Sequence, residues 1–301
     1  MQNQFPHDPI SPSGTALVLG GGGSAGNAWL IGVVAGLHEA GIDLTDADLV
    51  IGTSAGSTAA AQLTSGTGPA ELLAAILAAE PAASPPPARS GGTAAAADHM
   101  ARTAAMIAES RDVADLRRRV GSAALERLAA SPAGTAARWR SVVAARLPDA
   151  RWPQRRLLIT AVDARTGEPV VLQAGSGIDL VDAVAASCSS SVAYPVGDRA
   201  YVDGGYRTNA DNADLAAGCA RVLVLSPLGG RSRTPLAWGT HLATQVEALR
   251  AGGSTVEVVV PDDDAEHLFG ANAMDPANRP PAARAGHAQG LALAERLRSW
   301  W

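Results

Sequence analysis

Asp48-Leu49-Val50-Ile51-Gly52-Thr53-Ser54-Ala55-Gly56-Ser57-Thr58-Ala59-Ala60-Ala61 is the stretch from which the fold of this chain can be read. Its first half is a short apolar run of β type, its second half is rich in alanine, and Gly52 to Gly56 joins them. A strand, a tight turn and a helix in that order form the setting in which G-x-S-x-G presents a serine nucleophile. Gly52 and Gly56 are required there because a Cβ at either place collides with the neighbouring strand and helix backbone. Ser54 then stands at a helix N-terminus, whose partial positive charge favours a developing oxyanion.

A second unit of the same kind lies upstream. Thr15-Ala16-Leu17-Val18-Leu19 reads as a strand, Gly20-Gly21-Gly22-Gly23-Ser24-Ala25-Gly26 as a loop, and Asn27 to Ala40 as a helix with Trp29, Val33, Leu37 and Ala40 on one face. Glycines between strand and helix leave backbone N–H groups aimed at one point, the geometry of an oxyanion hole or a phosphate cradle. Gly21, Gly23 and Gly26 also match the dinucleotide fingerprint G-x-G-x-x-G. That site needs an acidic residue at the carboxyl end of the next strand. Gly52, Thr53 and Ser54 stand there instead, and Asp48 precedes the strand.

The third element is Ala200-Tyr201-Val202-Asp203-Gly204-Gly205, a short strand ending in Asp before two glycines. Asp before Gly-Gly commonly serves as a turn former. With Ser54 and the glycine loop in the same chain, Asp203 becomes a candidate base. No histidine follows a strand in the place an α/β-hydrolase triad uses. His267, in Asp264-Ala265-Glu266-His267, comes nearest to it, and a Ser–Asp dyad is the preferred reading.

These three motifs, in this order, resemble the patatin-like phospholipase family over roughly Gly14 to Pro227. Two further segments resemble it: Ala185-Ala186-Ser187-Cys188 followed by Tyr194-Pro195-Val196, and Asn212-Ala213-Asp214-Leu215. The resemblance implies a three-layer α/β/α fold with a mostly parallel central sheet. It implies a lipid acyl hydrolase in which Ser54 attacks an ester carbonyl and Asp203 accepts the proton. The N–H groups of Gly21, Gly22 and Gly23, with Ala55, are then expected to bind the oxyanion, and Gly26, Gly52, Gly56, Gly204 and Gly205 to support the motifs. No cofactor and no metal are implied; the expected partner is a lipid or other acyl ester. One departure is Ala25, where many members carry Arg or Lys. An acyl-binding protein without turnover, and nucleotide binding through Gly21 to Gly26, are the alternatives.

Composition sets outer limits. A chain of 301 residues with 47% hydrophobic content can bury a full α/β core as one domain with insertions. A net charge of −5 and 4% aromatic residues leave no basic or stacking surface for nucleic acid. No apolar run is long enough to span a bilayer, and Cys188 and Cys219 read as reduced, buried thiols. A cytoplasmic protein is expected, with peripheral contact at the inner membrane surface open to it.

Residues 1–13, polar and rich in proline, read as a flexible tail before a single domain at 14–301. A helical insertion is expected at about 66–152, with a loop able to shift at Pro85-Pro86-Pro87 and Ser90-Gly91-Gly92. It is either a structural cover or a lid and acyl-chain groove over Ser54, with Met106 and Leu125 on its apolar faces. Arg117-Arg118-Arg119, Arg138 and Arg140 form a solvated helix face or meet an anionic surface. Strands near 155–163 and 168–173 make a hairpin. Helices are expected near 179–187, 237–252 and 281–300, the last a docked C-terminal extension carrying Trp300 and Trp301.

Overall fold

The computed structural model describes residues 14–79 and 91–301, so the N-terminal tail and Pro85–Pro87 lie outside the described residues. Its strands are β1 (Thr15–Leu19), β2 (Leu49–Gly52), β3 (Arg156–Asp163), β4 (Pro169–Leu172), β5 (Tyr194–Val196), β6 (Arg199–Asp203), β7 (Arg221–Leu225) and β8 (Thr255–Val259). They form one sheet in the order β5-β6-β3-β2-β1-β7-β8, with β4 also paired to β3. The five strands from β3 to β8 along this path are parallel, while β4, β5 and β6 are antiparallel additions.

The helices are α1 (Gly23–Glu39), α2 (Ala55–Leu63), α3 (Pro69–Ala78), α4 (Gly91–Glu109), α5 (Val113–Ala129), α6 (Thr135–Ala144), α7 (Leu180–Ser187), α8 (Leu242–Ala251) and α9 (Arg279–Arg298). Both faces of the sheet are covered, which is why β1, β2 and β7 read as unbroken apolar runs. Leu17, Leu19, Val50, Ile159 and Leu223 pack with Trp29, Val33 and Leu37 of α1. Ala16, Val18, Leu49, Ile51, Val222 and Val224 pack with Leu242, Val246 and Leu249 of α8. This is the three-layer α/β fold.

The pairing along β3 decides where the chemistry falls. Ile159 pairs with both Gly52 and Leu172, and Ala161 with both Asp203 and Val170. Since β4 occupies one edge of β3 at both residues, β2 and β6 share the other edge. They run toward each other, and their carboxyl ends meet head-on.

The segment between α2 and β3 is helical, α3 to α6. Leu116, Val120 and Ala124 of α5 pack on Val162, Ala200 and Val202. The arginines here are largely structural. Arg117 donates to the carbonyls of Gly167 and Arg207, Arg119 pairs with Asp115 and Glu109, and Arg140 bridges to Asp179 and Asp182. Gly91 and Gly92 open α4 rather than a loop. Two expected helix boundaries need correction, and one strand was not expected. The helix expected from 237 starts at Leu242, because Leu236–Trp238 is a 3-10 turn closed by Gly239 at φ 66°. Tyr194–Val196 is a strand, made so by pairing with β6, which local pattern does not announce. The C-terminal helix spans Arg279–Arg298, and Trp301 Nε1 donates to the carbonyl of Asp43 just beyond it.

The α9 helix lies against α1 at backbone contact. Gly32 and Gly36 of α1, and Gly286 and Gly290 of α9, repeat at four-residue spacing and so face one another. A Cβ on Gly36 falls 2.2 Å from the His287 carbonyl oxygen, and one on Gly290 falls 2.4 Å from that of Val33. An added methyl must push the helices apart, and overpacking of this kind costs about 1–3 kcal/mol. Gly36→Ala is therefore expected to lower the unfolding free energy by that amount, seen by circular dichroism as a lower urea midpoint with the slope unchanged.

Candidate active site

Ser54 follows the end of β2 by two residues and caps α2 at φ 52°, ψ −120°, a conformation that non-glycine residues rarely adopt. Its surroundings hold it there. The Ser54 N–H donates to Ser187 Oγ at 2.9 Å. Its carbonyl accepts from the Ser57 hydroxyl at 2.6 Å and from the Cys188 thiol at 3.2 Å. Glycine is forced on both sides: a Cβ on Gly52 falls 2.6 Å from Ser57 Cα, and one on Gly56 falls 1.9 Å from the Leu19 carbonyl oxygen.

The structure brings Ser54 and Asp203 together. Ser54 Oγ donates to Asp203 Oδ2 at 2.8 Å, and the Gly205 N–H donates to Asp203 Oδ1 at 2.8 Å. Asp203 is buried, and desolvation pushes its carboxyl up to about 6 against the opposing pull of these two hydrogen bonds. Gly204 is required because a Cβ there falls 2.1 Å from Thr160 Oγ1.

A buried polar cluster ties the two strand ends to each other. Thr53 Oγ1 accepts from Thr160 Oγ1 at 2.9 Å and from Asn212 Nδ2 at 3.0 Å, and Asn212 Nδ2 also donates to the Gly204 carbonyl at 3.0 Å. Asn212 is at φ 54°, a left-handed conformation that Asn tolerates. Ser187, Thr53, Thr160 and Cys188 were not singled out as site residues. Ser187 and Cys188 were at least inside a segment marked by its resemblance; Thr160 carried no local signal. Burial pushes the Cys188 thiol up to about 11, which makes it a poor nucleophile at neutral pH.

The glycine loop needs one correction. The Gly21 N–H donates to the Ala210 carbonyl at 2.8 Å, so it is not free to receive an oxyanion as expected. Among the described residues, the N–H groups of Gly22, Gly23 and Ala55 have no acceptor. Gly22 lies against Pro227, where a Cβ meets Pro227 Cβ at 2.5 Å, and Gly23 is at φ 66°. Gly26 donates to the Gly22 carbonyl and fixes the loop onto the first turn of α1.

Asp48 is at the start of β2, where it accepts from the Thr15 N–H at 2.8 Å. No acid thus stands where a dinucleotide ribose needs one. His267 is exposed in a 3-10 turn and has no hydrogen bond to Ser54 or Asp203 among the described residues.

The family model for patatin-like phospholipases matches residues 17–216. The chain belongs to the patatin-like phospholipase family. The match spans β1 to just beyond Asn212 and so contains both partners of the Ser54–Asp203 contact. No curated protein sequence matches the chain. Among solved structures, the crystal structure of type III effector protein ExoU is similar at a TM-score of 0.40 and 16% identity, over 96% of this chain and 54% of that one. The chain thus spans about half of the length of that protein.

In this patatin-like domain, Ala25 is buried and its N–H donates to the Ala273 carbonyl. A cation reaches the same loop from elsewhere: Arg279 at the start of α9 donates to the Ser24 carbonyl at 3.1 Å and to Asn27 Oδ1 at 3.2 Å. A cavity of about 530 Å³ reaches the turn that follows Asp203, with Gly205, Tyr206 and Ala210 in its wall, although neither Ser54 nor Asp203 lines it. Met100, Thr103 and Ile107 of α4 and Val113 and Leu116 of α5 line its far side. Met106 and Leu125 are outside that wall and pack with the α5–β6 cluster, to which Ile107 and Leu116 also belong. Among the described residues, no helix is long and apolar enough to cross a membrane.

The raised Asp203 carboxyl has two consequences with opposite pH signs. A carboxylate accepts a proton only when ionised, so with Asp203 as the base, labelling of Ser54 by a fluorophosphonate should rise with pH through about 6 and then level off. Asp211, buried beside Gly20, is also pushed up to about 6 by desolvation. Both carboxyls bind protons more tightly folded than unfolded. Their contribution to stability is full below the ordinary value of 3.8 and is lost as pH rises through about 6. Labelling rates and urea midpoints measured between pH 4 and 8 should therefore move apart; a labelling rate flat across pH 6 removes Asp203 as the base.

Proposed function

We propose that this protein is a serine hydrolase that cleaves acyl esters of lipids, such as phospholipids or lysophospholipids, with Ser54 as nucleophile and Asp203 as base. The observation that carries this reading is the 2.8 Å hydrogen bond from Ser54 Oγ to a buried carboxylate, beside N–H groups that have no acceptor among the described residues. Ser54 Oγ attacks the ester carbonyl carbon as its proton passes to Asp203. The carbonyl oxygen becomes an alkoxide held by the N–H groups of Gly22, Gly23 and Ala55; losing one such donor typically costs about 3 kcal/mol. Collapse breaks the ester C–O bond, and the leaving oxygen takes the proton from Asp203. Water then adds to the acyl-Ser54 carbonyl, with Asp203 accepting its proton, and the second collapse releases the fatty acid and restores the Ser54 hydroxyl.

These steps need no cofactor. Burial favours them, because a carboxylate near 6 is a stronger base than one near 4 while remaining ionised at neutral pH. Asp203→Asn keeps the shape and removes the basicity. It should abolish both ester turnover and fluorophosphonate labelling of Ser54, checked by peptide mapping, while His267→Ala retains both. Near wild-type acylation in Asp203→Asn together with a dead His267→Ala replaces the dyad by a triad.

The substrate side of the molecule also favours lipid. The cavity that opens at Gly205 carries Ile107, Val113, Leu116, Leu228 and Phe269 beside polar residues in its wall, and it lies in the size range of sites that enclose one small ligand. Three large apolar side chains remain exposed on segments bordering it or the glycine loop: Leu236 at 77%, Met274 at 67% and Met100 at 42%. We assign them to peripheral contact with a membrane surface, in a cytoplasmic enzyme that meets the inner leaflet without crossing it. Leu236→Asp combined with Met274→Asp should then cut hydrolysis of vesicle-borne lipid at least tenfold relative to a soluble short-chain p-nitrophenyl ester. An equal effect on the two substrates removes this assignment.

A further inference from the structure

The upper wall of the cavity carries a cluster of charged groups that the steps above do not use. Tyr206, three residues after Asp203, places its hydroxyl 3.4 Å from His99 Nε2 and donates to the Ser190 carbonyl at 3.1 Å. Arg127 of α5 and Arg233 of the 228–234 loop both act on this pair. Each lowers the His99 imidazole, where burial is the larger cause, and each partly offsets the burial that pushes Tyr206 up to about 12. The hydrogen bonds place both guanidinium groups at this pair: Arg233 donates to the Met100 carbonyl, next in the chain to His99, and Arg127 to the Ser191 carbonyl, next to the Ser190 carbonyl that Tyr206 engages.

Neither guanidinium is neutralised by a carboxylate among the described residues. Arg127 donates to the Ala123 and Ser191 carbonyls at 3.4 Å, and Arg233 to the Met100 carbonyl at 3.0 Å. The adjacent Arg231 differs, being paired with Glu266. In a chain of net charge −5 two such unpaired cations about one residue stand out: Arg233 and Tyr206 line the cavity, and Arg127 and His99 flank Tyr206 behind that wall. Arginine forks suit planar or tetrahedral oxyanions, and such charge-assisted bonds are the strong ones. The rest of the wall pairs an apolar side, Ile107, Val113, Leu116 and Phe269, with polar groups that include Thr208, Asn209 and the Arg231–Glu266 pair.

We infer that this cavity selects acyl esters that carry a phosphate monoester, whose dianion sits between Arg127 and Arg233 against Tyr206 and His99 while the acyl chain lies along Ile107, Val113, Leu116 and Phe269. The inference rests on the hydrolase reading for its placement: Tyr206 follows Asp203 by a single turn, so an anion held there is a few bonds from an ester carbonyl at Ser54. One cavity of this size holds one chain, which favours a monoacyl substrate.

Binding of monododecyl phosphate to the Ser54→Ala protein, measured by calorimetry, tests the subsite without turnover. Saturable binding is expected, weakened at least tenfold by Arg233→Gln and by Arg127→Gln, and partly restored by Arg233→Lys. Inorganic phosphate should bind at least tenfold more weakly than the alkyl ester. In the active protein, the ratio of kcat/KM for 1-lauroylglycerol 3-phosphate to that for 1-lauroylglycerol should fall at least tenfold in Arg233→Gln, through KM. Unaltered binding in both variants, a parallel loss on both substrates, or inorganic phosphate binding as tightly as the alkyl ester overturns the proposal. Absence of a fluorophosphonate adduct at Ser54 overturns the hydrolase reading instead, and the Ser54→Ala titration still decides the anion site.

Discussion

Two strands that end against each other on one edge of β3 are the constraint on which the site depends. β2 delivers Ser54 from one direction and β6 delivers Asp203 from the other, and β3 spans both junctions. Each strand alone presents a turn, and only the shared edge turns two loop residues into a hydrogen-bonded pair. The buried contacts among Thr53, Thr160, Asn212 and the Gly204 carbonyl brace that junction from beneath. Such a fully paired polar cluster fixes geometry in a way that apolar packing does not. The strained backbone of Ser54 persists because Ser187, Ser57 and Cys188 all bond to it.

Burial then sets the chemistry. Asp203 is raised by desolvation and still accepts two hydrogen bonds, so it remains anionic at neutral pH yet is more basic than an exposed carboxylate. The same burial silences Cys188, whose thiol touches the Ser54 carbonyl but is held far from ionisation. One environment thus distinguishes the two side chains: the Ser54 hydroxyl has a carboxylate acceptor, and the Cys188 thiol is held in its protonated form.

Much of the site was legible because its requirements are local. Gly52, Gly56, Gly204 and Gly22 stand where backbone or a proline ring leaves no room for a Cβ, and such positions announce themselves in the sequence. The donor role given to Gly21 failed for a non-local reason: the acceptor that takes its N–H, the Ala210 carbonyl, lies about 190 residues downstream in a turn that no nearby pattern specifies. Thr160 was missed for the same reason, since inside an apolar strand it reads as one more β-branched residue. The strand Tyr194–Val196 exists through its partner β6, and the start of α8 is set by Gly239 rather than by helix propensity. The glycine pairs that join α1 to α9 carry a G-x-x-x-G spacing in both helices, a signal present in the sequence and overlooked beside the longer glycine loop.

The segment between α2 and β3 divides its work between its helices. α5 covers the sheet: its Leu116, Val120 and Ala124 close the β3–β6 face, and Gly121 approaches the Ala164 carbonyl so closely that a Cβ falls 2.3 Å from its oxygen. Arg117, on the same helix, pins it to the Gly167 and Arg207 carbonyls. α4 packs on the edge of the same cluster through Met106 and Ile107, and it contributes Met100, Thr103 and Ile107 to the cavity wall. One helix therefore packs behind the strand that carries Asp203, and both helices contribute to the cavity wall. Changes on α4 can reshape what the cavity admits without disturbing the β2–β6 junction, because none of the hydrogen bonds that brace that junction comes from α4.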